Sequence, residues 1–228
     1  MTASRLAMAA VLTALHVTSA SAQPVGAVPG RLEFDAGIIW AGAQSLGSQD
    51  ANLTTGTGST LRLFTSTSDL LAAAGFEGRV AVKVTRTVDA RVSMSYARPQ
   101  LTTRVSTDLE NSASATLSET VQQYLVGGGI DWYVGSHRSG ARIWPFIGGG
   151  AAYLRQLHEG ATLVATGQSY DIGGGVKLLL ASRTRPRQLM RAAGVRLDAR
   201  LVVRTKGITF DGHRTVVPAA AASLFVRF

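Results

Sequence analysis

Apolar and polar residues alternate along most of this chain with the period of a strand rather than that of a helix. In the last segment Ala222, Leu224, Val226 and Phe228 share one parity, and Ser223, Phe225 and Arg227 share the other. The same pattern predicts seven earlier strands. The first sets Leu32, Phe34, Ala36, Ile38 and Trp40 against Glu33, Asp35 and Gly37. The second sets Phe76, Val80, Val82 and Val84 against Glu77, Arg79 and Lys83. The third sets Val88, Ala90, Val92, Met94 and Tyr96 against Asp89, Arg91, Ser93 and Ser95. The fourth sets Tyr124, Val126, Ile130 and Trp132 against Gln123, Gly129 and Asp131. In the fifth, Trp144, Phe146, Ala152 and Leu154 are the expected apolar face, opposed by Pro145, Gly149 and Tyr153. The sixth sets Tyr170, Ile172, Val176 and Leu178 against Asp171, Gly173 and Lys177, and the seventh Val195, Leu197, Ala199, Leu201 and Val203 against Arg196, Asp198, Arg200 and Arg204.

Alternation alone fits a soluble sandwich with its apolar faces inward or a membrane barrel with its apolar face outward. The polar face carries charges of both signs deep within the segments: Glu33, Asp35, Glu77, Arg79, Lys83, Asp131, Asp171, Lys177, Asp198 and Arg200. In a narrow barrel these would face the lumen and pair there, because buried charges must be paired. Connections alternate in length, with Gln44–Leu70 and Pro99–Thr116 long and rich in Ser and Thr, and Thr85–Thr87 short. Long outer loops and short inner turns are the membrane-barrel pattern. Aromatic residues separate accordingly. Trp40, Tyr96, Tyr124 and Tyr170 fall toward the loop ends, and Trp132, Trp144, Phe146 and Phe228 toward the turn ends, as two interfacial belts would. The expected fold is all-β: an eight-stranded antiparallel transmembrane β-barrel, an up-and-down meander closed by pairing the first strand with the last.

The N-terminus supports export. Arg5 precedes an apolar stretch from Leu6 to about Val17, followed by Ala20-Ser21-Ala22. That is a basic n-region, an h-region too short to span a bilayer, and an A-x-A site. Residues 1–22 are therefore expected to be a cleaved signal peptide and 23–228 the barrel domain. With no cysteine, disulfides, thiol nucleophiles and cysteine-held metals are excluded. The net charge is +9, and the part after residue 22 carries 22 bases against 14 acids. Export makes an anionic membrane surface a better match for that charge than nucleic acid.

The signal peptide, the alternating segments and the terminal Phe228 together resemble the outer-membrane β-barrel family, in particular its OmpA- and OmpX-like eight-stranded domains. Trp144-Pro145-Phe146-Ile147-Gly148-Gly149-Gly150 is similar to a Pro-Phe-x-Gly-Gly stretch of that family, and the terminal Leu224, Val226 and Phe228 to its assembly signal. The resemblance implies a Gram-negative outer-membrane location, contact with lipid and lipopolysaccharide, delivery by the barrel-assembly machinery, and a monomer. The segment Ser182–Ala193 departs from it, being long for a periplasmic turn. No peptidoglycan-binding domain is expected within 23–228.

Candidate chemistry is sparse. Three glycine triplets, Gly127–Gly129, Gly148–Gly150 and Gly173–Gly175, lack the Lys-Ser/Thr and helix of a phosphate loop. In strands they read instead as a seam of close backbone approach, leaving room for long lumen side chains such as Arg200. His137, His158 and His213 sit in connections; Ser136 and Asp211 lie near two of them, without a third partner to suggest a triad. No metal-ligand spacing, cofactor motif or catalytic residue is read. The lumen charges are expected to be a structural ion-pair network, since eight strands enclose a space that side chains fill. Arg86, Arg138, Arg142, Arg183, Arg185, Arg187, Arg191 and Arg227 are expected at the periplasmic rim. The expected role is structural or surface-interacting through the outer loops. Alternatives are a narrow, porin-like pore or transport component with a charged lumen, or a lipid A-modifying enzyme.

Overall fold

The β-rich segments pair into a closed barrel and an open sheet in a computed structural model, which describes residues 31–54, 56, 58–106, 114–134, 142–158, 163–182, 190–208 and 214–228. The strands are β1 (Leu32–Ala41), β2 (Gln44–Thr54), β3 (Thr60–Leu70), β4 (Ala73–Lys83), β5 (Val88–Ala97), β6 (Gln100–Ser106), β7 (Ala115–Thr120), β8 (Gln122–Tyr133), β9 (Ile143–Leu157), β10 (Val164–Ser182), β11 (Ala192–Lys206) and β12 (Thr215–Arg227). The barrel order is β1-β12-β11-β10-β9-β8-β5-β4, closed by antiparallel β1–β4 and β1–β12 pairs. Eight antiparallel strands in a meander are what the alternation predicts. The proposed signal peptide lies outside the described residues.

The barrel is inside-out relative to a soluble protein. Phe76 is 70% and Ile172 68% exposed, whereas Lys177 is 0% and Asp131 1% exposed. Outward-facing Phe34, Ile38, Val92, Met94, Ile130, Leu201 and Leu224 continue the apolar wall. Burying roughly 25 cal/mol per Å² of such surface favours hydrocarbon over water. Closure is required there, because lipid offers no hydrogen bonds to a free strand edge. No helix among the described residues is long and apolar enough to cross a membrane.

Three expectations are corrected. Gln44–Leu70 and Pro99–Thr116 do not simply loop: their described parts form the hairpins of a four-stranded sheet ordered β2-β3-β6-β7. That order matches the barrel neighbours β1-β4-β5-β8, so the sheet extends one side of the wall beyond its loop end. Short breaks separate wall from extension, held by backbone bonds from the Gly42, Leu71 and Val121 N–H groups to the carbonyls of Pro218, Gln100 and Pro99. Second, β9 has the opposite facing from that expected. Phe146 and Leu154 are buried inside, and Ile143, Ile147 and Tyr153 face out. Trp144 shares the parity of Phe146, so neither ring belongs to the turn-end belt, which keeps Trp132 and Phe228. Third, Arg227 is not a rim residue but is buried in the lumen. Phe228, at the rim, packs edge-on against Phe34 at 5.8 Å. At the loop end Trp40 and Tyr170 face out, and Tyr96 packs on Tyr124 with ring centroids 4.9 Å apart.

The glycine triplets meet across the wall. Gly129 lies opposite Gly150, and Gly148 opposite Gly173. On their other flanks Gly129 faces Arg91, Gly173 faces Arg200 and Gly175 faces Asp198. A Cβ on Gly148 would stand 2.5 Å from the Asp131 carboxylate and 2.8 Å from the Ile130 carbonyl. Glycine at this seam therefore leaves the space that the lumen charges occupy. β10 and β11 stay paired to Ser182 and Ala192, and 183–189 lies outside the described residues.

Candidate functional site

Every barrel strand sends one parity of residues inward, and the charges fixed on that parity converge in the lumen. Near the turn end Glu33 is the hub. Lys177 donates to it, and Arg227 donates to it at 2.7 Å while also reaching Asp89 at 3.3 Å. The Lys177 ammonium stands over the rings of Tyr133 and Phe225, and Arg227 over Trp144. Cations over aromatic faces are stabilised by the ring quadrupole. The inverted β9 thus supplies rings to the lumen cations rather than to lipid.

At mid-height Arg196 is central. It bonds Asp131 at 2.6 Å and Asp198 at 3.1 Å, lies 3.9 Å from Asp35, and covers the Phe146 ring at 4.1 Å. Arg91 bridges Asp131 at 3.1 Å and Asp171 at 2.6 Å. Toward the loop end Arg79 and Arg200 share Glu77 and Asp198, with the Arg79–Asp198 and Arg200–Asp198 contacts at 2.9 and 2.8 Å. The network joins Glu33, Asp35, Glu77, Asp89, Asp131, Asp171 and Asp198 to Arg79, Arg91, Lys177, Arg196, Arg200 and Arg227. Mutual pairing is what permits charges to persist without water.

Of the charges singled out from sequence, Glu33, Asp35, Glu77, Arg79, Asp131, Asp171, Lys177, Asp198 and Arg200 are brought together. Lys83 stands apart, half-buried at the turn end opposite Asp89 in register. Asp89, Arg91 and Arg196 share the inward parity of these charges and join them in the network, and Arg227 joins them from the end of the last strand. Leu224 faces outward at the terminal strand, and Phe228 lies exposed beyond it.

Among the described residues, side chains fill the lumen at mid-height. The void between Arg91, Asp131, Phe146, Asp171, Arg196 and Asp198 measures about 10 Å³, no more than one water occupies. The loop mouth is closed separately. Arg204 donates to Gln44 at 2.7 Å, and Gln156 to Gln123 at 3.3 Å. Above them Leu46, Leu70, Leu101 and Val121 form a buried apolar cluster with Ile208 packed against it. These leucines come from the extension sheet, so the sheet's base is also the barrel's lid. A positive φ of 97° at Gly47 marks the β2 bulge where this base meets the outer sheet. Beside the lid, His158 Nδ1 lies 3.1 Å from the Glu119 carboxylate. His137 and His213, with Ser136 and Asp211, lie outside the described residues. Among the described residues, no group of His, Asp and Glu side chains is arranged to hold a metal.

No protein-family model matches the chain, and no curated protein is similar to it in sequence. Solved structures similar to it include outer-membrane barrels. OprG from Pseudomonas aeruginosa is 11% identical over 88% of this chain and 96% of that one, with a TM-score of 0.48. Neisserial surface protein A is 14% identical over 86% and 97%, with a TM-score of 0.42. Ail, the attachment invasion locus protein of Yersinia pestis, is 11% identical over 88% and 100%, with a TM-score of 0.37.

Proposed function

We propose that this protein is a non-conducting outer-membrane barrel that holds a four-stranded sheet at the cell surface as an interaction platform. The filled lumen carries this reading. Ion pairs occupy the interior from Glu33 to Glu77, and an apolar lid seals the loop mouth, while four wall strands continue outward. A porin-like role would need a passage that these side chains occupy. The sheet presents Ser and Thr side chains, among them Ser48, Thr65, Thr67, Thr102 and Ser118, to an aqueous partner. Binding function concentrates on such outer segments of a rigid scaffold.

In this reading the wall is surrounded by outer-membrane lipid and lipopolysaccharide, the cleaved signal peptide 1–22 directs export, and Leu224, Val226 and Phe228 present the assembly signal. The barrel acts as a monomer, without nucleic acid, cofactor or a catalytic step. An epitope inserted at Gly56, where a side chain would meet nothing within 4 Å, tests the display. The tag is expected to bind antibody on intact cells, and the purified protein to give no conductance steps in planar bilayers. Antibody access only after permeabilisation overturns the display, and stepwise conductance overturns the sealed lumen.

A further inference from the structure

The two ends of the barrel differ in charge. At the loop end both signs occur, with Asp50, Asp69 and Glu119 near Arg62, Arg98 and Arg104. In sequence, the segments 84–87, 134–142 and 183–191 contain arginines and no acid. Among the described residues of the turn end, Arg31, Arg86 and Arg142 are exposed, and Lys83 and Arg191 are half-buried. The acids nearest to them in sequence, Glu33 and Asp89, are buried and taken up by Lys177 and Arg227.

Backbone bonds fix these bases to the strand ends. The Lys83 N–H donates to the Arg31 carbonyl, the Leu179 N–H to the Arg142 carbonyl, and the Arg191 N–H to the Arg227 carbonyl. Arg31 therefore sits beside the β1–β4 pair, Arg142 at the foot of β9 beside β10, and Arg191 at the foot of β11 beside β12. Arg86 lies in the β4–β5 turn. The cations are thus spread around the circumference rather than gathered into a pocket. Exposed apolar side chains reach the same level: Val84 lies two residues from Arg86, and Ile143 adjoins Arg142. Outward-facing Trp132 and Phe228 belong to the same end.

We propose that this all-basic collar binds the anionic phospholipid headgroups of the leaflet that surrounds the turn end. The inference rests on the outer-membrane reading above, which puts that leaflet on the periplasmic side. A ring of cations directly below an apolar skirt lies at headgroup depth, where the potential of an anionic leaflet attracts bases most strongly. A soluble anionic partner would require no apolar skirt at the level of the cations. It would also favour a concentrated patch over an encircling one.

The test folds the protein into vesicles of phosphatidylethanolamine and phosphatidylglycerol, extracts it mildly, and measures the lipid it retains. Phosphatidylglycerol is expected to be enriched about fivefold over the bulk, and the enrichment to fall in high salt as screening predicts. Joint replacement Arg31→Gln, Arg86→Gln, Arg142→Gln and Arg191→Gln is expected to return the retained lipid to bulk composition, with heat-modifiable migration showing that the barrel still folds. Arg62→Gln with Arg104→Gln, at the opposite end, is expected to leave the enrichment intact. Retained lipid of bulk composition overturns the proposal, as does enrichment that survives the collar replacement. So does equal capture of soluble polyglutamate without any preference for phosphatidylglycerol. Failure to enter either lipid at all would instead overturn the membrane-barrel reading, so the two failures are distinguishable.

Discussion

Four chain segments of this protein pass from one solvent into another, and their two halves are built on opposite rules. As β1, β4, β5 and β8 they form barrel wall, with apolar side chains outward and charges inward. As β2, β3, β6 and β7 they keep the same neighbours but form an open sheet whose outer strands β2 and β7 each have one strand partner. In the wall an open edge would strand backbone groups in hydrocarbon, so the strands must close on themselves. Above it water satisfies the edges, and the hydroxyl-rich sequence can leave them free. Charge follows the same division. The lumen guanidinium of Arg196 contacts three carboxylates, Asp35, Asp131 and Asp198, while in the sheet Arg62 reaches Asp50 at 3.8 Å with both side chains exposed. The comparison teaches that an ion pair's worth here depends on which half it occupies, not on the residues that make it.

The largest expected effect is therefore Arg196→Ala. It leaves Asp131 and Asp198 buried with a partner removed, and breaking a buried ionic cluster costs about 3–5 kcal/mol. Urea unfolding in detergent should show that loss. A loss under about 1 kcal/mol would mean that water replaces the guanidinium and that the lumen is less sealed than its packing indicates. Asp35→Asn at the same height gives the internal contrast. Among the described residues, the Asp35 carboxylate has no hydrogen-bond partner, so the change should cost about 1 kcal/mol or less. The seam comes next. Gly148→Val would drive a side chain into the Asp131 carboxylate and the Ile130 carbonyl, an overpacking cost of about 1–3 kcal/mol by the same measurement. Gly56→Val, between β2 and β3, should leave the midpoint unchanged, since a Cβ there meets nothing within 4 Å.

The two halves were also unequally legible. Wall strands declared themselves because lipid on one side and a charged lumen on the other impose strict alternation, and seven of the eight expected faces stand as the parity indicated. β9 failed because both its parities are apolar: Ile143, Ile147 and Tyr153 on one, Trp144, Phe146 and Leu154 on the other. The information that decides it lies on other strands, in Arg196 and Arg227, whose guanidiniums lie over Phe146 and Trp144. Arg227 misled for a related reason. One residue from the chain end it looks like rim charge, and only the β1 register beside Glu33 brings it inside. The extension sheet reads as loop in the sequence because much of both its faces is wet, so no apolar period marks it. Its signal was the β-branched content of segments such as Thr65-Ser66-Thr67 and Thr102-Thr103.

The lid joins the halves, and its removal should separate them. Leu46→Ala opens the apolar cluster at the sheet's base and should loosen it by about 2 kcal/mol, the low end for one buried leucine. Amide exchange in β2, β3 and β6 should then accelerate while the barrel's urea midpoint holds. Conductance should stay absent, because the ion pairs below the lid are untouched. Coincident loss of sheet and barrel would instead show one cooperative unit and break the comparison.

At the small end stands Arg62→Ala. Its pair with Asp50 spans 3.8 Å, both side chains are open to water, and Asp50 already accepts a hydrogen bond from the Thr65 hydroxyl at 2.7 Å. Exposed pairs contribute about 0–1 kcal/mol and fade with salt. The substitution should leave the unfolding midpoint and the exchange of β2 and β3 within error. A cost approaching that of Arg196→Ala would mean that the outer sheet is not bathed in water as its composition indicates, and that another surface covers it in the folded protein.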